Sequence, residues 1–310
     1  MQNGDLHELD IAIGAWQQIL DHREFEQLQA DLRAALLNEG GSTYLQRYWA
    51  AGQVPDLDRA LVRYRNAVEL TPANSPERAA ILNNLGNGLS ARYACTGAVA
   101  DLDEAIASCR NAIELTPANS PNRTMFLNNL ANGLRDRYAR TGAVADLDGA
   151  VTAYREACRC GLEPALRASH NWGAWALKRS AWQEGVEAYR FGMQAIVSLV
   201  SVQLGRAGKE SWLREAQGMP SRAAYCLAQS GECTAAVIAL EQGRAYLLSE
   251  VLERNRADLA ALQQNHPAVY ERYRQAAERI ALLEAGEQRA EPQPAGLDRA
   301  AEVRGARCIE

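Results

Sequence analysis

The sequence has little histidine, no long apolar run and no excess of positive charge. It contains four histidines in 310 residues, and none has the spacing to a second histidine or a cysteine that zinc ligands show. No apolar stretch approaches the roughly 20 residues that a membrane-spanning helix needs. The net charge of −5 provides no electrostatic basis for binding nucleic acid or an anionic membrane. We therefore expect neither a nucleic-acid nor a membrane partner.

The seven cysteines are odd in number and scattered, without a Cys-x-x-Cys pair. Reduced thiols in a cytoplasmic protein fit this pattern best, and no secretory signal is visible at the N-terminus. Cys158 and Cys160 are the closest pair, and they would need two further ligands to hold zinc. A catalytic pair of His170 with Cys226 or Cys233 has no support in the sequence. We expect no metal, no cofactor and no enzymatic activity.

Two other patterns have both a chemical and a structural interpretation. The stretch LNEGGSTY (37–44) is rich in glycine, but it lacks the lysine and the spacing of a phosphate-binding loop. Trp172, Trp175 and Trp182 could line a ligand cage, yet all three fall within one predicted helix pair. We favour packing in the core for these tryptophans.

One segment of the chain occurs twice. Residues 64–103 and 109–148 are identical at 30 of 40 aligned positions. The triplet Asp-Leu-Asp recurs at Asp56, Asp101 and Asp146, in steps of 45 residues. A repeat of this length indicates stacked units of secondary structure.

Each unit is predicted to contain two helices. The Ser-Pro pairs at 75–76 and 120–121 are typical of a helix start, with serine as the N-cap and proline in the first turn. Leucines then follow at helical spacing, and a glycine-containing loop ends the helix. The second helix is predicted to begin near Asp101 and to end before Pro117.

The second helices carry a small residue, a larger residue and a second small residue at fixed spacing, as in Ala60-x3-Tyr64-x2-Ala67. This spacing resembles the tetratricopeptide repeat (TPR). The resemblance implies an all-α, right-handed solenoid whose first helices line a concave, peptide-binding groove. The unit of 45 residues exceeds the usual length of about 34, and much of the excess lies between Leu89 and Ala105. We therefore expect a longer first helix or a larger loop.

The same template predicts the domain organisation of the whole chain. Its parts are a half repeat (1–26), TPR-like repeats of 45-residue period (27–162), further TPR-like units (163–256), a helical connector (257–285) and a flexible tail (286–310). Since the first part matches only a second helix, we expect the chain to be a piece of a longer array.

The C-terminal third has a resemblance of its own. The segments ALEQGRA (239–245), LLSEVLERNRADLAAL (247–262) and HPAVYERY (266–273) resemble the region before the caspase-like module of CHAT-domain proteins, in which that module is associated with TPRs. The resemblance implies the sensing or regulatory part of a CHAT-type system, with a CHAT-type peptidase as partner in cis or in trans. We expect these 310 residues not to include the peptidase module itself. The alternative is a regulatory fragment of a caspase-like protease whose catalytic domain lies downstream.

Asparagines recur on the first helices. Asn83 and Asn87 lie four residues apart on one helical face, Asn128 and Asn132 occupy the same places in the next unit, and Asn38 reproduces the first of them. An amide can pair with a peptide backbone whatever its sequence. Peptide-binding members of the TPR family carry asparagine at the places of Asn87 and Asn132. Members that clamp a C-terminal carboxylate have lysine at the places of Asn83 and Asn128. The resemblance therefore does not imply a carboxylate clamp in this chain.

We predict that these five asparagines bind peptide in a non-catalytic protein-interaction scaffold. The alternative is that the amides bond to one another between helices, or persist only because the duplication is recent. A structural spacer or oligomerisation array is a further hypothesis.

Overall fold

The computed structural model describes residues 3–202, 211–212, 214–242, 263–272 and 274–275, and every regular element in these ranges is helical. Residues 233–242 form a helix, and Phe25–Gln27 form a 3-10 turn. The long helices are α1 (Asn3–Leu20), α2 (Ala30–Ala51), α3 (Val54–Leu70), α4 (Pro76–Thr96), α5 (Val99–Glu114), α6 (Asn122–Thr141), α7 (Val144–Arg159), α8 (Leu162–Lys178), α9 (Trp182–Val202) and α10 (Met219–Gln229).

The chain divides into two compact units, residues 1–198 with 218–240 and residues 199–217 with 241–310. The first contains the repeats. In the second, residues 263–265 and 267–272 are helical, and His266 lies between them. Residues 257–262, 273 and 276–285 of the predicted connector, and the whole of the predicted tail (286–310), lie outside the described residues. None of the described helices combines the length and the apolar character that crossing a membrane requires.

The repeats are helix pairs in which the first helix is long. The pairs are α2 with α3, α4 with α5 and α6 with α7. Their first helices have 22, 21 and 20 residues, against 17 in α8. Part of the extra length of the 45-residue unit therefore lies in the first helix, one of the two outcomes expected, and part lies in the connection that follows the second helix, as in residues 115–121.

A glycine ends each of these long helices. Gly52, Gly97 and Gly142 have φ of 72°, 69° and 69°, a left-handed conformation that glycine adopts without steric cost. Each donates its N–H to the carbonyl oxygen of a tyrosine four residues earlier. This terminates the helix and turns the chain directly into the second helix.

The predicted start is correct for α4, whereas α6 begins one residue later than predicted. Ser75 is the N-cap of α4, but its hydroxyl bonds the Glu77 carboxylate instead of a backbone N–H. The prediction that Ser120 caps α6 is wrong, because α6 begins at Asn122 with Pro121 in the N-cap place. Asn122 stands where the first copy has Glu77, so Ser120 lacks the carboxylate that its counterpart binds.

The core lies between the two helices of each unit and between neighbouring units. Ala60, Ala105 and Ala150 are at most 1% exposed, which confirms the small places of the pattern. Tyr64 fills a large place and is fully buried. Gly41 makes room for it, since a Cβ there would lie 2.8 Å from the Tyr64 ring. Small residues thus allow close helix approach, as the repeat pattern predicted.

Candidate functional site: the first-helix face

Side-chain amides join the first helices of four successive units. In each bond an asparagine Nδ2 donates to the Oδ1 of an asparagine in the preceding unit, and we call this row the amide ladder. Its bonds run from Asn84 to Asn38 (3.0 Å), from Asn129 to Asn83 (2.8 Å) and from Asn171 to Asn128 (3.2 Å). Three of the five predicted residues are therefore acceptors within the repeat array.

The ladder amides are largely withdrawn from solvent. Asn83 is 1% exposed and Asn128 is 8% exposed, whereas Asn38 is half-buried. The next pair in the row has other residue types. His170 aligns with the acceptor Asn128, and Arg222 of α10 aligns with the donor Asn171 of α8. Arg222 Nη1 lies 3.2 Å from His170 Nε2. The sequence analysis did not assign the donors of the ladder, although Asn84 and Asn129 repeat with the same period of 45 residues.

A second polar row follows one helical turn further along the first helices. Ser42, Asn87 and Asn132 occupy it in α2, α4 and α6. Tyr64 donates its hydroxyl to Ser42 Oγ at 3.2 Å, and Tyr154 donates to Asn132 Oδ1 at 2.6 Å. Burial raises the pKa of both tyrosines to about 12, so both remain protonated donors at neutral pH. Ser42 and Asn132, at the two ends of this row, therefore each accept a hydrogen bond from the second helix of their own unit.

Asn87, the middle member of the row, has no hydrogen-bond partner among the described residues. The reason is local, since Cys109 stands where the neighbouring units have Tyr64 and Tyr154. The Cys109 sulfur packs against Gly86 and does not bond the amide; a Cβ on Gly86 would lie 2.9 Å from it. Asn87 thus presents an unengaged amide donor and acceptor on the first-helix face.

The first-helix face also contains a cavity of about 450 Å³ between α2 and α4. Asn38 and Glu39 line it from α2, and Ala80 and Ile81 line it from α4. Asn38 therefore borders a space large enough for a side chain of a bound peptide, while its Oδ1 is held by Asn84.

Arginines fix the spacing of the units beneath this face. Arg92 binds the Asp101 carboxylate of its own unit through Nε and Nη2, at 2.8 and 2.6 Å. Its Nη1 reaches Asp58 of the preceding unit at 2.8 Å. The hydrogen bonds with Asp101 raise the pKa of Arg92 further above its usual range. The same clamp joins Arg47 to Asp56 and Asp10, and Arg137 to Asp146 and Asp103.

Sequence reasoning identified the Asp-Leu-Asp triplet but missed its role. Its first aspartate is buried against the arginine of its own unit, and in α3 and α5 its last aspartate binds the arginine of the next. The signal was an arginine nine residues before each triplet, repeated with the period of 45.

The thiols and tryptophans have structural positions. Burial raises the pKa of Cys109 and of Cys158 to about 12, so neither is a thiolate at neutral pH. Trp172 and Trp175 are 0% and 8% exposed within the core, which confirms the packing interpretation for these two, and Trp182 packs edge-on against Tyr225. Among the described residues, no group of three or more histidine, cysteine or acidic side chains is placed to hold a metal ion.

Residues 78–121 and 125–158 match the family model of the tetratricopeptide repeat. These segments are tetratricopeptide repeats. The match spans the second and third helix pairs, and therefore includes Asn83, Asn87, Asn128 and Asn132. A search of curated protein sequences finds no match to this chain.

Three solved structures are similar to this chain. BtubC (BKLC) from P. vanneervenii is 13% identical over 79% of this chain and 90% of its own, with a TM-score of 0.50. A Podosopora anserina protein of nearly identical TPR-like repeats is 16% identical over 70% and 97%, with a TM-score of 0.46. The MamA protein is 14% identical over 72% and 95%, with a TM-score of 0.42. The helix pairs, the match to the family model and the likeness to BtubC confirm the predicted all-α solenoid of TPR-like helix pairs.

Proposed function

We propose that this chain is a non-catalytic protein-interaction scaffold that binds an extended peptide, or a helix, along the first-helix face of its TPRs. The observation that supports this proposal best is the free amide of Asn87. Its equivalents Ser42 and Asn132 each accept a hydrogen bond from a buried tyrosine, whereas Cys109 leaves Asn87 without one. Asn87 is therefore free to donate to a peptide carbonyl and to accept from a peptide N–H.

The two amide rows have different roles in this proposal. Asn38, Asn83 and Asn128 hold the first helices in register, and of these three only the half-buried Asn38 has an amide substantially exposed to a ligand. Asn132 accepts from Tyr154 and from Arg135, at 2.6 and 3.3 Å, so its NH2 group remains for a ligand. Binding is therefore expected to centre on Asn87 and Asn132.

The test is peptide selection on the purified chain followed by measurement with variants. Peptides selected from a random display library are expected to bind the wild type and to lose binding to the double variant Asn87→Ala/Asn132→Ala. Its helicity, measured by circular dichroism, is expected to stay unchanged. The matched control is Asn66→Ala/Asn111→Ala, which removes two exposed asparagines of the second helices with the same spacing of 45 residues. Equal binding by both double variants would contradict the proposal and favour a structural spacer.

The resemblance of 239–273 to the connector of CHAT proteins supports a narrower role. We propose that the scaffold is the sensing part of a CHAT-type system, with a CHAT-type peptidase as its partner, in the cytoplasm. The alternative is that it is the regulatory fragment of a caspase-like protease. The DNA sequence beyond codon 310 tests the alternative, because an open frame with a histidine and cysteine peptidase module supports it and a stop codon contradicts it.

A further inference from the structure

A second groove lies between two second helices, α5 and α7, with α6 as its floor. Its cavity volume is about 420 Å³. Leu127, Leu130 and Leu134 of α6 form the apolar floor, and Arg110 of α5 stands at the rim. The groove is separate from the amide rows, which belong to other faces of the first helices.

The repeats themselves indicate what Arg110 binds. The same place in three successive second helices holds an arginine: Arg65, Arg110 and Arg155. Two of them bind a glutamate of the following second helix. Arg65 binds both carboxylate oxygens of Glu104, at 3.1 and 2.7 Å, and Arg155 binds those of Glu187, at 2.6 and 2.8 Å.

In the middle groove the glutamate is missing. Gly149 of α7 occupies the place that Glu104 occupies in α5. Arg110 has consequently no close ion pair or hydrogen bond among the described residues, and it is exposed, although it attracts Asp146 at longer range. The rest of the space that a glutamate side chain would cross lies in the groove above the three leucines, although a Cβ on Gly149 would lie 3.2 Å from Cδ1 of Leu134.

We propose that this groove binds a protein partner through a glutamate that lies beside a large apolar residue. The partner's carboxylate replaces the missing glutamate at Arg110, as a charge-assisted, bidentate pair. The apolar residue beside this glutamate packs on the three leucines, and burial of its apolar surface there favours binding. Glu114, Asp148 and Glu156 also line the groove, and Glu156 is paired with Arg123, so a partner segment with several negative charges is disfavoured and a single carboxylate is selected.

The probe is the capped tripeptide acetyl-Leu-Glu-Leu-amide, and its matched control is the glutamine analogue. Binding is followed on the Nε–Hε cross-peak of Arg110 in the ¹⁵N-labelled chain, assigned with Arg110→Gln. We expect a saturable shift with the glutamate peptide and about tenfold weaker binding of the glutamine peptide, since only the former carries the charge.

Gly149→Glu is the decisive variant. It places the missing carboxylate within the chain, so it is expected to bind Arg110 and to abolish peptide binding while the fold persists. Gly149→Ala keeps the groove open and is expected to bind like the wild type. Asn87→Ala/Asn132→Ala is also expected to bind normally, which separates this site from the proposed function of the first-helix face.

Three results would overturn the proposal. They are equal binding of the two peptides, retained binding in a folded Gly149→Glu chain, and release of a dimer by the glutamate peptide in sedimentation. The last result would make a second copy of the chain the occupant of the groove.

Discussion

Asn129 donates a hydrogen bond from Nδ2 to Oδ1 of Asn83 across 2.8 Å, and the two residues belong to first helices of successive repeats. The bond therefore crosses the interface on which a stacked array depends. With Asn83 only 1% exposed, its carbonyl oxygen has little access to water as an alternative partner. The contribution of this bond, of its equivalents and of the arginine clamps to the free energy of unfolding can therefore be measured with single substitutions.

We expect Asn129→Ala to destabilise the fold by about 1–3 kcal/mol, because it leaves the buried Asn83 oxygen without its donor. Urea denaturation measures the loss, and Asn111→Ala, on an exposed helix surface, is the control with an expected change within about 0.5 kcal/mol. The double variant Asn83→Ala/Asn129→Ala is expected to cost less than the sum of the single changes. Additive costs would contradict the coupling between the two amides.

The arginine clamp predicts unequal effects for its two carboxylates. Arg92→Gln leaves Asp101 charged and nearly buried, so we expect a loss of roughly 3 kcal/mol in the free energy of unfolding. Asp58→Asn removes the outer pair, whose aspartate side chain is 63% exposed, and is expected to cost less than about 1 kcal/mol. Thermal and urea unfolding of both variants test this order, and equal losses would show that the clamp does not depend on burial.

The clamp also predicts how stability depends on pH. The hydrogen bonds from Arg137 lower the pKa of Asp146 in the folded state, so the unfolded chain binds this proton more readily. The stabilisation is therefore fully present above the unfolded pKa of about 4 and is lost as the pH falls through the folded value. Asp146→Asn is expected to be less stable than the wild type at pH 7 and to converge with it below pH ~4. In an Arg137→Gln background this convergence should disappear.

Close packing predicts opposite signs for two glycine substitutions. A Cβ on Gly173 would lie 2.5 Å from Cζ of the fully buried Tyr189, so we expect Gly173→Ala to cost about 1–3 kcal/mol by overpacking. A Cβ on Gly14, within α1, would meet nothing within 4 Å, so Gly14→Ala is expected to add up to about 1 kcal/mol through helix propensity. Chemical denaturation measures the free energy of unfolding of both variants. A stabilising Gly173→Ala would contradict the close packing of Gly173 against Tyr189.

Thiol reactivity follows burial. Cys109 and Cys158 are buried with a pKa of about 12, whereas Cys95 and Cys233 are exposed. At pH 8 we expect iodoacetamide to modify the exposed pair within minutes and the buried pair only after unfolding in urea. Mass spectrometry of the digested protein assigns the adducts, and rapid native labelling of Cys109 would show that its helix pair opens.

The repeat spacing was sufficient to predict most of the fold. Small residues at Ala60 and Ala105 predicted close helix approach, and Gly97 predicted the loop, because these features depend on residues near one another in the chain. The start of α6 was missed by one residue, since the change from Glu77 to Asn122 alters only a first-turn contact. The CHAT resemblance and the cytoplasmic location stay predictions.

The candidate site was predictable only in part. The period placed Asn83 and Asn128 on one face, but an amide both donates and accepts, so the sequence left a ligand and a neighbouring helix as equal alternatives. Stacking brings Asn129 to Asn83 from 46 residues away. No local sequence pattern predicts that these two side chains approach each other, because their distance depends on the rotation between neighbouring units.

By itself, the sequence determined the helices, their loops and the repeated small and large core places, since each follows from backbone conformation and side-chain size over a few residues. Only the tertiary structure decided which polar groups are engaged. It joined Asn83 to Asn129, and Arg92 to Asp58 and Asp101, and it left Asn87 and Arg110 without a hydrogen bond to any of the described residues. The physical reason is that a single substitution in a neighbouring helix, Cys109 for tyrosine or Gly149 for glutamate, removes a partner that becomes visible only when the helices are packed.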